Sequence, residues 1–226
     1  MIALSFDAPL MSFGGHAVDQ VGNTFRFPPR SMLTGLLGAA LGYDRSEHDK
    51  LQRLQGGFTY GVREDRPGEI IEDFQTVDLS TPWMTGYWDQ DGYKTGEEAR
   101  GRYGSSSANR SILNKEYVAD AVYTVVLDCT DLPEADVLEA LIRPRWPLYV
   151  GRKSCGAGPL RPRMVAYDTL REALKSIGLH RAAKTDGPYQ IWIEGGESRS
   201  ISGLRDWESR IHAGQQWIEE DTIRTT

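Results

Sequence analysis

Cysteine is scarce: Cys129 and Cys155 are the only two in the chain. Two thiols are too few for a disulfide framework or a cysteine-rich zinc site. Histidine is also sparse, and His16, His48, His180 and His212 are scattered without metal-ligand spacing. The chain has no H-E-x-x-H, no G-x-S-x-G and no paired-carboxylate motif beyond ordinary surface acids, so no hydrolase signature of those kinds stands out. It also lacks a run of about 18 apolar residues, which removes a transmembrane helix from consideration. The opening Met1-Ile2-Ala3-Leu4 has no basic region and meets Asp7 and Pro9 at once, unlike a signal peptide. These absences lead us to expect a soluble cytoplasmic protein that works without cofactor, metal or membrane.

What is present suits a packed fold. Hydrophobic residues make up 39% and charged residues 26%, a balance that supports a core and argues against wholesale disorder. The 24 glycines and 11 prolines point to a loop-rich, sheet-containing fold rather than a helical bundle. The net charge of −6 speaks against a polyanionic partner, but the charges are segregated. Arg143 to Arg163 holds six basic residues and no acid, and Ala99 to Lys115 holds four and no acid. Ten acids lie between Glu64 and Glu98. Local field, more than the total, decides whether an anion binds, and two acid-free runs in an acidic chain favour an anion-binding surface over plain solvated faces.

Periodicity places the elements. Ile2, Leu4 and Phe6 alternate as a strand. Leu33, Leu36, Leu37, Ala40 and Leu41 form one helical stripe, opened by Pro28-Pro29 and closed by Gly42. Phe58–Val62, Ile70–Leu79, Ala121–Leu127 and Tyr189–Ile193 read as strands. Helices are expected after Asp131-Leu132-Pro133-Glu134 and over Asp168–Ile177. Thr81 to Asn114 is rich in Gly, Ser, Tyr and Trp with weak periodicity, a long excursion rather than a core element. The order is β-α-β-β, an excursion, then β-α and further strands. This gives an α+β, ferredoxin-like (RRM-like) domain carrying an inserted hairpin.

Three constellations suit an anion. Arg26 and Arg30 flank the first helix start, whose unpaired N–H groups favour phosphate. On that helix Ser31, Gly35 and Gly38 make a side-chain-poor face opposite the leucines, open either to another backbone inside the fold or to nucleic acid. The loop from Tyr149 to Pro159 holds Gly151-Arg152-Lys153-Ser154-Cys155-Gly156. It fails the P-loop pattern, but glycine-rich basic loops bind phosphate through amides and cations. Cys155 stands among cations that lower a thiol pKa, yet with no nearby histidine or second cysteine we expect a packing residue. In the excursion, Trp83, Tyr87, Trp88, Tyr93 and Tyr103 interleave with Arg100, Arg102 and Arg110, a mixture suited to unpaired bases or to a protein partner. Lys115 and Arg145 belong to the two basic runs.

Several segments also follow a family pattern. They are Ala8-Pro9-Leu10-Met11-Ser12-Phe13-Gly14, Arg26-Phe27-Pro28-Pro29-Arg30-Ser31, Leu36-Leu37-Gly38-Ala39, Asp73-Phe74-Gln75-Thr76-Val77, Lys115 to Ala121, and Pro144-Arg145 through Cys155. In this order, over residues 1–165, they resemble the CasD-type subunits of type I-E CRISPR Cascade complexes, in the RAMP superfamily. The resemblance implies a non-catalytic subunit that holds the 5′ handle of the guide RNA and caps the backbone in antiviral defence. It implies contacts with the Cascade backbone subunit and large subunit, and with target DNA through the complex. It assigns residues 1–79 and 115–165 to the RAMP core, 80–114 to a thumb that kinks the guide, and 166–226 to a small β-containing C-terminal extension. Two other readings compete: a metal-independent endoribonuclease acting on repeat RNA, with His16 as acid or base, and a free single-strand binding module. The RNP1 pattern expected of the last is missing.

Overall fold

The computed structural model describes residues 1–15, 17–18, 21–78, 87–89, 92–94, 110–183 and 187–225, with the backbone alone at 17–18, 77–78, 87–89, 92–94 and 110–111. The chain divides into two compact units, one made of Met1–His16, Asn23–Ile71 and Tyr117–Thr226, the other of Ala17–Gly22 and Glu72–Glu116.

The first unit is built on a six-stranded antiparallel sheet. Its strands are β1 (Ile2–Asp7), β5 (Thr59–Arg66), β10 (Val122–Asp128), β11 (Arg163–Met164), β12 (Tyr189–Ile201) and β13 (Gln216–Ile223), in the order β11-β1-β10-β5-β12-β13. β1 runs against β10 from Ile2↔Leu127 to Asp7↔Val122, and β10 against β5 with Val125↔Val62 at the centre. On the other side of β1, β11 pairs with it at Ile2↔Met164. The first four strands in this order reproduce the ferredoxin-like arrangement expected from the sequence.

Both faces of the sheet are covered, and alternation decides which side chain goes where. Ile2, Leu4 and Phe6 join Tyr123, Val125 and Leu127 in the larger core. There they meet α1 (Arg30–Leu41) and α3 (Glu134–Ile142), which contributes Val137 and Leu141. Ala3 and Val126 point the other way and pack with Ala173, Leu174, Ile177, Ile191 and Ile193, the first two from α4 (Leu170–Ser176). Thr169 caps α4 by accepting the Glu172 N–H at 3.1 Å. α1 ends as anticipated at Gly42, whose φ of +81° places it in the left-handed region that terminates helices.

A second helix, α2 (His48–Gly56), was not legible in the sequence, because Leu51 and Leu54 are its only buried aliphatic residues. It packs against α1 at Gly38, where an added Cβ would lie 2.7 Å from Leu51 Cδ2. Residues 166–226 supply α4, β12 and β13 to the first unit, extending its sheet past β5 through Ile191↔Arg63 and Trp192↔Val62.

The remaining strands are β2 (Leu10–Met11), β3 (Ala17–Val18), β4 (Val21–Gly22), β6 (Glu69–Asp78), β7 (Tyr87–Asp89), β8 (Gly92–Lys94) and β9 (Arg110–Ala119). In the first unit the end of β9 pairs with β2 at Met11↔Val118. In the second, β9 runs parallel to β4 at Val21↔Asn114, and β7 and β8 form a hairpin. β7 and β8 lie within the Thr81–Asn114 excursion, and β9 begins inside it at Arg110. Most of that excursion, with Trp83, Arg100, Arg102 and Tyr103, and His16 as well, lies outside the described residues.

Candidate functional site

The basic loop is the best-defined presentation of cations in the first unit. Tyr149 and Gly156 form an isolated antiparallel bridge. Between them Val150 N donates to Cys155 O at 2.8 Å and Cys155 N to Arg152 O at 2.8 Å. The chain therefore reverses on itself, with Arg152, Lys153 and Ser154 at the tip. Lys153 and Ser154 are exposed, while Cys155 is buried at 1% exposure. Burial pushes the Cys155 thiol pKa up, against the opposing pull of Ser154 and Arg152, so it is the packing residue expected rather than a nucleophile.

The loop is seated on the segment that follows β1. Ser12 N donates to Val150 O at 3.0 Å. Gly151 has φ +95°, and a Cβ there would fall 1.5 Å from Ser12 O. The two backbones touch so closely that no other residue fits. Arg152 is held from below: its guanidinium carbon lies 4.8 Å from the ring centre of Tyr117, a cation–π contact. The Tyr117 hydroxyl stands 3.5 Å from Ser154 Oγ. Tyr117 is thus a site residue that charge and glycine patterns could not nominate. Its only sequence signal is membership of the Lys115–Ala121 motif.

The other candidates divide. Arg26 is exposed, with its carbonyl accepting from the Tyr123 hydroxyl at 2.7 Å. Arg145 is exposed at its tip, and its stem lies over Gly42. In the second unit Lys115 Nζ donates to Gln75 Oε1 at 2.7 Å. Arg110 is described in backbone only.

Arg30 corrects the expectation of a phosphate ligand. Its guanidinium pairs with the half-buried Glu194 of β12 and donates to Gln55 O at 3.1 Å. It also lies 5.6 Å from the Phe58 ring centre. A carboxylate 164 residues away in sequence already neutralises that charge inside the fold. Ser31, Gly35 and Gly38 are turned inward as well. Ser31 is buried, with its N–H donating to Gly203 O at 2.9 Å. Gly35 lies against Trp207, and Gly38 against Leu51. This face therefore packs within the protein.

The sheet face that RNA-recognition domains use for stacking bases is closed here. Arg63 and Asp65 of β5 form an ion pair at 2.5 Å with both side chains fully buried. Arg63 Nη1 donates to Leu174 O and to Ile177 O, capping the C-terminal carbonyls of α4. Thr124 Oγ1 and His180 N both donate to Asp65. This clamp holds α4 and the chain after it on the face. Among the described residues no group of three or more His, Cys, Asp or Glu side chains is placed to hold a metal ion, and no helix is long and apolar enough to cross a membrane.

Comparison with known proteins places this architecture. Residues 1–218 match the family model described as CRISPR-associated protein (Cas_Cas5). The CRISPR system Cascade subunit CasD of Escherichia coli (strain K12) is 34% identical over 160 residues, covering 68% of this chain and 66% of that subunit, just under two thirds of its length. A chain of a solved CRISPR RNA-guided surveillance complex superposes with a TM-score of 0.75 at 26% identity, over 99% of this chain and 90% of that one. A chain from a crystal structure of a Cas protein shares the fold, with a TM-score of 0.65 at 23% identity over 99% and 95% of the two chains. With nearly the whole length matched, and with a ferredoxin-like sheet and motif order that agree, the chain belongs to the Cas5 family of CRISPR-associated proteins.

Proposed function

We propose that this Cas5-family chain is an RNA-gripping subunit of a Cascade-type surveillance complex, and that its basic loop holds phosphates of the guide RNA 5′ handle. The observation that carries this reading is the Arg152-Lys153-Ser154 tip, locked by Gly151 against Ser12 and braced from beneath by Tyr117. A cation held in place before binding loses little side-chain freedom when a phosphate arrives. Two adjacent cations and a hydroxyl on one turn match a phosphodiester. Arg26, Arg145 and Lys115, with Arg100, Arg102, Tyr103 and Arg110 of the excursion, extend the same role along the guide. The subunit acts by binding, in the cytoplasm, beside the backbone and large subunits, and meets target DNA only through the assembly.

The test is the double substitution Arg152→Ala with Lys153→Ala, measured by anisotropy with labelled handle RNA across a salt series. Losing two phosphate contacts to single-stranded RNA lowers the slope of log affinity against log salt by about 1.4. Unchanged affinity and slope overturn the reading. Purified protein incubated with repeat RNA in EDTA leaves the RNA intact; cleavage in that assay overturns the non-catalytic part.

A further inference from the structure

The C-terminal hairpin between β12 and β13 frames an open-mouthed cavity against α2 for which the RNA grip has no use. It measures about 380 Å3 and is lined by His48, Asp49 and Gln52 of α2 and by Arg205, Asp206 and Glu208 of the hairpin, among others. α2 holds the hairpin with a polar stripe. Residues 48, 52 and 55 share a helical face. His48 Nδ1 donates to Trp207 O at 2.9 Å. Gln52 Oε1 accepts from Trp207 N at 3.5 Å. The buried Gln55 takes both backbone groups of Arg205, accepting from its N–H at 3.2 Å and donating to its carbonyl at 2.9 Å, and it also accepts from Trp207 Nε1. Arg205 is thus fixed in place by its backbone.

Its side chain is poorly matched by the protein. The guanidinium lies 5.3 Å from the Trp207 ring centre and donates from Nη2 to Arg210 O at 2.9 Å. Nε is buried and has no hydrogen-bond partner. Among the described residues none of Arg45, Arg205 and Arg210 is in an ion pair. Burial, then the charges of Arg45 and Arg210, push the Arg205 pKa down. The Asp206 carboxylate is taken up by the N–H groups of Glu208 and Ser209. Although acids line the same cavity, Arg205 is in no ion pair among the described residues and keeps a buried donor unmatched, so it is open to a directly paired anion.

We infer that this cavity is a docking site for an acidic side chain of a partner protein, whose carboxylate pairs with Arg205. Lining chemistry selects the partner's class. Asp49 and Glu208 stand exposed in the same lining; they oppose any anion, and a phosphodiester chain with its row of charges more than a single carboxylate aimed at Arg205. A single carboxylate beside Arg205 relieves the repulsion that Arg45 and Arg210 exert on its guanidinium. The Arg205 fork offers two parallel donors to a carboxylate.

The full-length chain is titrated with N-acetylglutamate, N-acetylglutamine and inorganic phosphate. The Arg205 Nε–H resonance, assigned by its loss in Arg205→Lys, is followed by NMR. N-acetylglutamate moves that resonance saturably, and N-acetylglutamine and phosphate leave it in place. Movement with phosphate instead assigns the cavity to nucleic acid and overturns the inference, as does no movement with any of the three. Within the proposed assembly, Arg205→Gln reduces co-purification of the other protein subunits about tenfold while the free chain keeps its handle-RNA affinity. A loss of RNA affinity with retained subunits overturns it. The NMR arm does not depend on the RNA reading, so the two proposals fail separately.

Discussion

Gly151 and the Arg63–Asp65 pair are single positions on which much of the molecule depends. Replacing Gly151 with Ala forces a Cβ onto Ser12 O in a backbone region that disfavours side chains. Strain of about 1–3 kcal/mol then lifts the basic loop off its seat. The expected outcome is handle-RNA affinity reduced as in the Arg152/Lys153 double substitution, while the core circular dichroism is kept. Arg63→Met leaves Asp65 buried without its ion-pair partner, with Thr124 Oγ1 and the His180 backbone N–H as its remaining donors. Removing one partner of a buried pair costs about 3–5 kcal/mol. A urea titration reads this directly, and a midpoint within error of wild type removes the clamp from the account.

At the scale of elements, α1 shows how one helix separates two meanings of glycine. A Cβ at Gly35 would meet only the tip of Trp207 at 3.9 Å, an ordinary contact, while at Gly38 it would sit 2.7 Å from Leu51. Gly35→Ala is therefore expected to stabilise the protein by up to about 1 kcal/mol through helix propensity. Gly38→Ile overpacks against α2 and destabilises by about 1–3 kcal/mol. Thermal melts of both variants check the pair. Neither substitution changes handle-RNA affinity if the glycine face serves packing alone, and a loss of affinity in Gly35→Ala returns that face to the RNA. The aliphatic stripe of α1 was legible from its spacing. α2 was not, since its second packed face, His48, Gln52 and Gln55, carries polar groups that find partners in a hairpin about 150 residues later.

At the scale of the molecule, residues 166–226 decide what the first unit exposes. Without them Ala3 and Val126 would face water, and β5 would become a bare edge. Burial of each large apolar side chain contributes about 1.5–3 kcal/mol, against a total stability of about 5–15 kcal/mol. Losing Leu174, Ile177, Ile191 and Ile193 together removes most of that margin. A chain cut after Val165 is expected to be insoluble or unfolded, by sedimentation and near-UV circular dichroism. A folded, soluble product would make these residues an appendage. The covered sheet face also separates this protein from RNA-recognition modules that stack bases on an open sheet, which the missing RNP1 aromatics had already suggested.

The sequence by itself determined the local elements: the alternation in β1, the Pro29-to-Gly42 limits of α1, the β-branched run of β10, and the glycine-bracketed basic loop with its motif order. These follow from short-range rules, since periodicity, capping and turn chemistry act over a few residues. Only the tertiary structure decided that Arg30 turns inward to Glu194 and Arg152 outward over Tyr117. It alone set β12 beside β5, and it left Arg205 beside a cavity without a counter-ion. The reason is electrostatic and steric: a cation's role is fixed by whichever carboxylate, ring or backbone the fold brings within a few ångströms, and those partners lie tens to hundreds of residues away along the chain.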